Sequence, residues 1–330
     1  MQRCDPCVAI AYARYQELHN KISSRSFNSR VAQALSTVKE VVEEKTFLNV
    51  VEVVKGGSVG KGTAITDCED AELVFFVKGL PTEGHAKWLP PLLRSVQSTL
   101  QENISADVAT KIECTDDSVQ MKVKDTITVA LRFSPAFDSY VKTVQALGAL
   151  GPYARKPFEP SFVKERTQFV AKQPGHVKVT MRLMKWWRDQ QAWSCPLTTP
   201  SDYVLELIVI YAAQQCGKVA QAQMIANCMS LLARFDQLRV VWSNYYDPSD
   251  VWSPLMLQKP LLMDPVNPFT NVADPQAHLR RQLQPFAYGT RVRESSRESN
   301  SHVSRPTIRL HESALNLDDG SRSHLSEEFG

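Results

Sequence analysis

The stretch that most constrains this chain runs from Val54 to Val77 and reads VKGGSVGKGTAITDCEDAELVFFV. An apolar run, Phe47 to Val54, leads into it and predicts a strand. Gly56-Gly57-Ser58 follows, a turn whose backbone N–H groups can come close to phosphate. The stretch ends in Asp70-Ala71-Glu72, at the front of a second predicted strand, Leu73 to Val77. Residues i and i+2 of a strand share a face, so Asp70 and Glu72 aim their carboxylates at one point, which suits a hard divalent cation. A phosphate-cradling turn facing paired carboxylates is the layout that nucleotidyl transfer needs.

An ordinary P-loop is excluded by spacing. That motif needs Ser or Thr directly after its Lys, and here Gly62 follows Lys61. The order of strand, Gly-Ser, spacer (Val59 to Glu69) and alternating acids instead resembles the polymerase-β-like nucleotidyltransferase signature.

Composition narrows the class further. The net charge is +3, so any nucleic-acid surface must come from local clustering. No apolar run reaches the ~18 residues that a membrane span needs, and the strongest, Tyr203 to Ala213, is interrupted by Glu206. The N-terminus lacks a signal-peptide layout, which predicts an intracellular protein, cytoplasmic or nuclear. The seven cysteines are scattered, as free thiols would be. Cys4 and Cys7 form the one close pair, and no second Cys or His cluster follows, so no structural zinc is expected.

Periodicity predicts a helix through Val31, Ala34, Leu35, Val38 and Val42 and another through Trp88, Leu92, Leu93, Val96 and Leu100, with Pro90-Pro91 near its start. Asp107–Cys114, Ser118–Lys124 and Ile127–Phe133 read as strands, the last two as a hairpin. Four helices are then expected over Phe162–Lys172, Val177–Gln191, Ser201–Gln215 and Val219–Gln237, followed by a short strand near Leu238–Trp242. Pro254 to Pro275 is expected to lie over the surface as an ordered arm. The reading is an α+β fold with two lobes, a mixed β-sheet N-terminal lobe packed on a helical C-terminal lobe. The expected domains are an N-terminal helical extension (1–26), a core lobe (27–150), a helical lobe (151–288) and a Ser-, Arg- and Glu-rich disordered tail (289–330).

Several blocks stand in one order over roughly residues 27 to 286: Val53 to Ser58, Gly60 to Thr63, Pro135 to Asp138, Met181 to Trp187, Asp202 to Leu207, Val241 to Asp247 and Leu262 to Pro268. Together they resemble the 2′-5′-oligoadenylate synthetase family. The resemblance implies a two-lobe nucleotidyltransferase that binds double-stranded RNA across its lobes. It joins ATP units through 2′-hydroxyls with Mg2+ or Mn2+ and releases pyrophosphate, in antiviral, innate immune signalling. It assigns Gly57, Ser58 and Lys61 to the triphosphate, and Asp70 and Glu72 to the metal and to catalysis. Arg182 and Lys185 would hold nucleotide phosphates, with Tyr203 and Asp202 at the donor base, though the family commonly has Gln at the latter. Lys178 keeps an RNA-contacting position, while Thr167, Ala171 and His176 stand at others. Arg25, Arg30, Arg166 and Lys172 are then the basic residues expected to compensate.

One departure bears on chemistry. The family's third metal ligand is an aspartate three residues before Pro-Ala-Phe-Asp, and here Arg132 stands there. An arginine stays protonated and has no acceptor, so it can neither ligate a cation nor take a proton. Strand parity places Ala130 and Ser134 on the same face, and neither replaces a carboxylate. Two readings follow: a synthetase whose site is rebuilt, or a relative that binds nucleotide or RNA without turnover, with Arg132 paired to Asp70 or Glu72.

Overall fold

The computed structural model describes residues 6–23, 25–66, 70–123, 127–193, 199–243, 245–247, 251 and 253–273; the side chains of 6–13, 25–31, 70 and 253 lie outside that description. Every described residue belongs to one compact unit. The tail expected from residue 289 lies outside the described residues, as do Cys4 and the side chain of Cys7.

The centre of the fold is a five-stranded sheet built from β1 (Val50–Gly56), β2 (Asp70–Val77), β3 (Lys111–Cys114), β4 (Val119–Val123) and β5 (Ile127–Pro135), in the order β1-β2-β5-β4-β3. The β2–β5 pair is parallel and the others antiparallel, which makes the sheet mixed as the sequence predicts. Period-two alternation sorts each strand into two faces. Leu73, Phe75 and Val77 of β2, with Val129, Leu131 and Phe133 of β5, point to one side. There they meet Leu35, Val38 and Val42 of α2 (Arg25–Lys45) and Leu92, Leu93, Val96 and Leu100 of α4 (His85–Asn103). Phe75 and Phe133 stack at 5.3 Å between centroids. Each such buried side chain contributes roughly 1.5–3 kcal/mol over its exposed state.

The opposite face of β2 presents Glu72, Val74 and Phe76, and Val163 of α7 (Val163–Ala171) packs there on Val74 and Phe76. After α5 (Tyr140–Gly148) and α6 (Pro152–Arg155), a 3₁₀ segment, Lys156–Phe162, precedes α7 and touches β5. The helices α8 (Gly175–Asp189), α9 (Asp202–Cys216) and α10 (Gln221–Ala233) pack on one another. The run Val204 to Ile210 of α9 is wholly buried, Glu206 included. The N-terminal helix α1 (Pro6–Ile22) docks on α8 and α10.

Four expectations need correction. The strand expected from Asp107 begins at Lys111, after a turn in which Ser105 accepts amides from Val108 and Ala109. Helix α4 starts a turn earlier than its spacing predicts, so Pro90 and Pro91 stand inside it. The helix expected through Gln237 ends at Ala233, and Phe235–Gln237 is a separate 3₁₀ turn. The arm expected on the surface is an inner segment: residues 260–268 are all buried, and Leu261–Leu262 (β7) pairs in parallel with Arg239–Val240 (β6). Its backbone polar groups are satisfied locally, Asp264 Oδ1 accepting from the amides of Val266 and Asn267, so burial leaves none of these donors bare. Among the described residues no helix is long and apolar enough to cross a membrane.

Candidate active site

Strand β1 delivers the chain into a short helix, α3 (Gly57–Lys61), where the sequence predicts only a turn. Gly57 enters it with φ +64° and Gly62 leaves it with φ +68°, the left-handed region that favours glycine. Close approach fixes two other glycines. A Cβ on Gly60 would lie 2.0 Å from the Lys55 carbonyl oxygen, and one on Gly56 would lie 2.6 Å from Glu72 Oε2. The turn therefore packs its backbone directly against the acidic end of β2. Ser58 is buried, and its carbonyl accepts the Thr63 amide at 2.9 Å.

Asp70 opens β2 opposite Thr128 of β5, two residues before Glu72, and its side chain lies outside the described residues. The Glu72 carboxylate has a partner that the sequence alone leaves open. Arg132 Nη1 of β5 lies 3.2 Å from Glu72 Oε1, and Arg132 Nη2 lies 3.2 Å from Asp117 Oδ2. Asp117 is itself held by the turn before β4, where Thr115 and Ser118 hydroxyls donate to its Oδ1 at 3.0 Å each. Arg132 Nε is buried with no hydrogen-bond partner. The charge of Arg132 also reaches Glu159. Burial pushes that carboxyl up, but Arg166, the Thr270 and Arg166 hydrogen bonds and Arg132 hold it below its ordinary value.

These residues do not fit a divalent ion at Glu72 as they stand. A guanidinium already contacts the carboxylate, and among the described residues no group of three His, Cys, Asp or Glu side chains is placed to hold a metal. Ala130 and Ser134 flank Arg132 on its side of β5, and the Ser134 hydroxyl is taken by Ser161 at 2.8 Å.

The basic residues expected at the triphosphate converge on the loop after α3, but each has an internal acceptor. Arg182 donates to the carbonyls of Gly62 at 2.7 Å and Ala64 at 3.3 Å, and its Nη1 is 3.1 Å from His19 Nε2. Lys185 is 1% exposed and lies between Asp202 Oδ2 at 2.8 Å and Glu206 Oε1 at 2.7 Å, with Thr63 Oγ1 at 2.9 Å. Burial opposes its charge, but Glu206 and Asp202 hold it protonated, above the usual lysine value. Lys61 reaches Glu206 Oε2 at 2.9 Å and lies 4.6 Å from the centre of the Tyr203 ring. Asp202 also pairs with Arg188 at 2.5 Å, so it is a charge partner in this state. Tyr203 is half-buried and donates to Asp264 Oδ1 at 3.1 Å. Burial first, then Asp264, pushes its phenol well above the ordinary tyrosine value.

The residues expected on an RNA surface divide. Arg166 is a correction: it sits between Glu159 and Asp264, 2.6 Å from Asp264 Oδ2, as an internal charge partner. Lys178 Nζ caps α7 by donating to the Ala171 carbonyl at 3.2 Å, and Lys172, exposed, is the C-cap residue of the same helix. Arg25 and Arg30 belong to α2, and their side chains lie outside the described residues. Glu206, an interruption of an apolar run in the sequence, is the buried acid on which Lys61 and Lys185 converge; its one signal is that it stands as the single acid within that run. Asp117, Glu159 and Asp264 carry no local signal.

A family model described as 2′-5′-oligoadenylate synthetase 1, domain 2, C-terminus matches residues 134–305. The 2′-5′-oligoadenylate synthase 1A of Rattus norvegicus is 25% identical over 292 residues, covering 76% of this chain and 81% of that protein. Among solved structures, E. coli MS115-1 CdnC with ATP superposes with a TM-score of 0.61 at 16% identity, over 84% of this chain and 89% of that chain. The Cid1 poly(U) polymerase, solved with Mg and 3′-dATP, does so with a TM-score of 0.59 at 13% identity, over 86% and 93%. At these identities the two structures show a shared fold, that of nucleotidyltransferases.

Proposed function

This chain belongs to the 2′-5′-oligoadenylate synthetase family, and from that membership we propose that it transfers an adenylyl group from ATP to a 2′-hydroxyl. The acceptor oxygen attacks the α-phosphorus, the bond to the β-phosphate oxygen breaks, and pyrophosphate leaves with the electron pair. The hydroxyl proton passes to a carboxylate; Asp70 and Glu72 are the two that β2 offers beside the turn. Gly57 and Ser58 form the backbone cradle for the triphosphate. Lys61, Arg182 and Lys185 supply positive charge around the loop that follows it. Tyr203, with Asp202 beside it, is the platform for the donor base.

The observation that carries this reading is the packing of the glycine turn on Glu72. The backbone that would hold phosphate and the carboxylate that would work on it meet with no room for a single Cβ between them. Double-stranded RNA as activator, an antiviral role and a cytoplasmic or nuclear location belong to the same proposal, supported by family membership alone. Lys172, Lys178, Arg25 and Arg30 are its candidate phosphate contacts.

One observation favours a second reading, nucleotide or RNA binding without turnover: the ion pair of Arg132 with Glu72. Family membership does not favour it. Purified protein incubated with ATP and Mg2+ or Mn2+, with and without long double-stranded RNA, separates the two. Chromatographic products that resist a 3′-5′-specific nuclease are expected. Their absence under every condition, with activity appearing in Arg132→Asp, establishes the second reading instead.

A further inference from the structure

We infer that Arg132, anchored by Asp117, is the resident cation of this cleft: it takes the place beside Glu72 that a divalent ion would need, so this side of the site recruits none. The inference rests on the reading that Glu72 faces the nucleotide.

Position comes first. Glu72 pairs with Ala130 across the parallel β2–β5 ladder, and Arg132 is two residues further along β5 on the same face. A long side chain at that diagonal reaches back to the carboxylate, and Arg132 does so at 3.2 Å. The second contact makes the placement specific. Asp117 stands at the β3–β4 turn, fixed by two hydroxyl donors, and takes the other terminal nitrogen at the same distance. One guanidinium thus spans two carboxylates from two different elements.

Charge follows from position. Glu72 is already neutralised by a cation that has no acceptor and does not deprotonate. A divalent ion arriving there meets an adjacent positive charge and must displace a formed ion pair. Arg132 is not a casual surface side chain: its Nε–H is buried without a partner, a cost that its two carboxylate contacts offset. Neither neighbour on its face, Ala130 or Ser134, offers a replacement ligand.

Mn2+ uptake, followed by the loss of the free-ion paramagnetic resonance signal, tests this on the full chain without nucleotide. The panel is wild type, Arg132→Gln and Arg132→Lys. Removing the charge is expected to tighten Mn2+ binding by about tenfold, the change that ~1.4 kcal/mol produces. Arg132→Lys keeps a cation and stays near wild type. A variant that merely perturbed packing would not sort by charge in this way. In parallel, binding of a fluorescent ATP analogue to wild type is expected to survive EDTA, whereas in Arg132→Gln it becomes dependent on added Mn2+. Equal Mn2+ affinity in wild type and Arg132→Gln overturns the inference, as does wild-type nucleotide binding that EDTA abolishes. Should no variant bind nucleotide under any condition, it is the transferase reading that fails, and the Mn2+ comparison still decides the role of Arg132.

Discussion

Glu206 is the point at which the loop after α3 and the helical part of the chain are joined, and Glu206→Gln is the sharpest test of that. The carboxylate is fully buried, at 0% exposure, and accepts from Lys185 Nζ at 2.7 Å, Thr63 Oγ1 at 2.6 Å and Lys61 Nζ at 2.9 Å. Burial pushes its pKa up, but Lys185 and Lys61 override that and hold it below the usual carboxylate range. The amide has nearly the same shape but one acceptor oxygen instead of two. Its NH2 group must face a lysine ammonium, donor against donor. Breaking a buried ion pair costs ~3–5 kcal/mol, and Lys185 keeps Asp202 at 2.8 Å, so the lower end, about 3 kcal/mol, is expected. Urea unfolding at pH 7, followed by tryptophan fluorescence, reads this as a lower midpoint. The partner variant Lys185→Met also destabilises. The double variant costs less than the two losses added, with a coupling of ~1–3 kcal/mol, because no uncompensated charge remains between them. The sign with pH is set as well: a depressed folded pKa stabilises above the unfolded glutamate value and is lost as pH falls through the folded one. An unshifted midpoint in Glu206→Gln, or strictly additive losses, would refute the claim that these charges hold one another.

Two further outcomes follow from the same geometry. Gly60→Ala puts a Cβ 2.0 Å from the Lys55 carbonyl oxygen, so α3 must shift against β1; a loss of ~1–3 kcal/mol is expected by thermal melting, and a wild-type melting temperature would show that the turn is free to move. His19 has a buried Nδ1 without a partner and sits 3.1 Å from Arg182, and burial and then that charge hold its pKa below the ordinary histidine value. Its folded pKa is depressed, so stability is full above the unfolded value near 6.5 and falls as pH drops below it. His19→Gln flattens that fall between pH 7 and pH 5, measured by urea midpoints at each pH.

Legibility follows the range over which the physics acts. Alternation along β2 and β5 depends on neighbours two residues apart but does not say which strands pair; the family resemblance offers Arg132 either Asp70 or Glu72, and the ladder puts Glu72 and Arg132 on one face. Helical spacing likewise places Arg182 and Lys185 together on α8. It cannot say that one donates to the carbonyls of Gly62 and Ala64 while the other lies between two carboxylates, because those partners come from other elements of the chain. Asp117 is illegible for the same reason: only the β4–β5 ladder, with Gln120 opposite Ala130, brings that turn to Arg132. The Pro254–Pro275 segment misleads through composition. Its prolines suggest a surface strap, whereas Leu261, Leu262 and Met263 fill the core and Asp264, Asn267 and Asn271 satisfy the amides that burial would strand.

The internal pairings also bear on what the proposed nucleotide binding would require of this molecule. The charges proposed for the triphosphate are the ones that hold the loop after α3 to the helices: Lys61 and Lys185 through Glu206, Arg182 through two loop carbonyls. A triphosphate cannot recruit them without exchanging at least one of these contacts. The cheapest to exchange is Lys61, whose side chain is 11% exposed against 1% for Lys185 and whose removal leaves Glu206 still paired. Lys185, desolvated and held by two carboxylates, would forfeit far more by turning outward. The same sequence therefore gives its two lysines different work. On the proposed function Lys61 is the lysine that would answer a phosphate, while Lys185 keeps the helices in place.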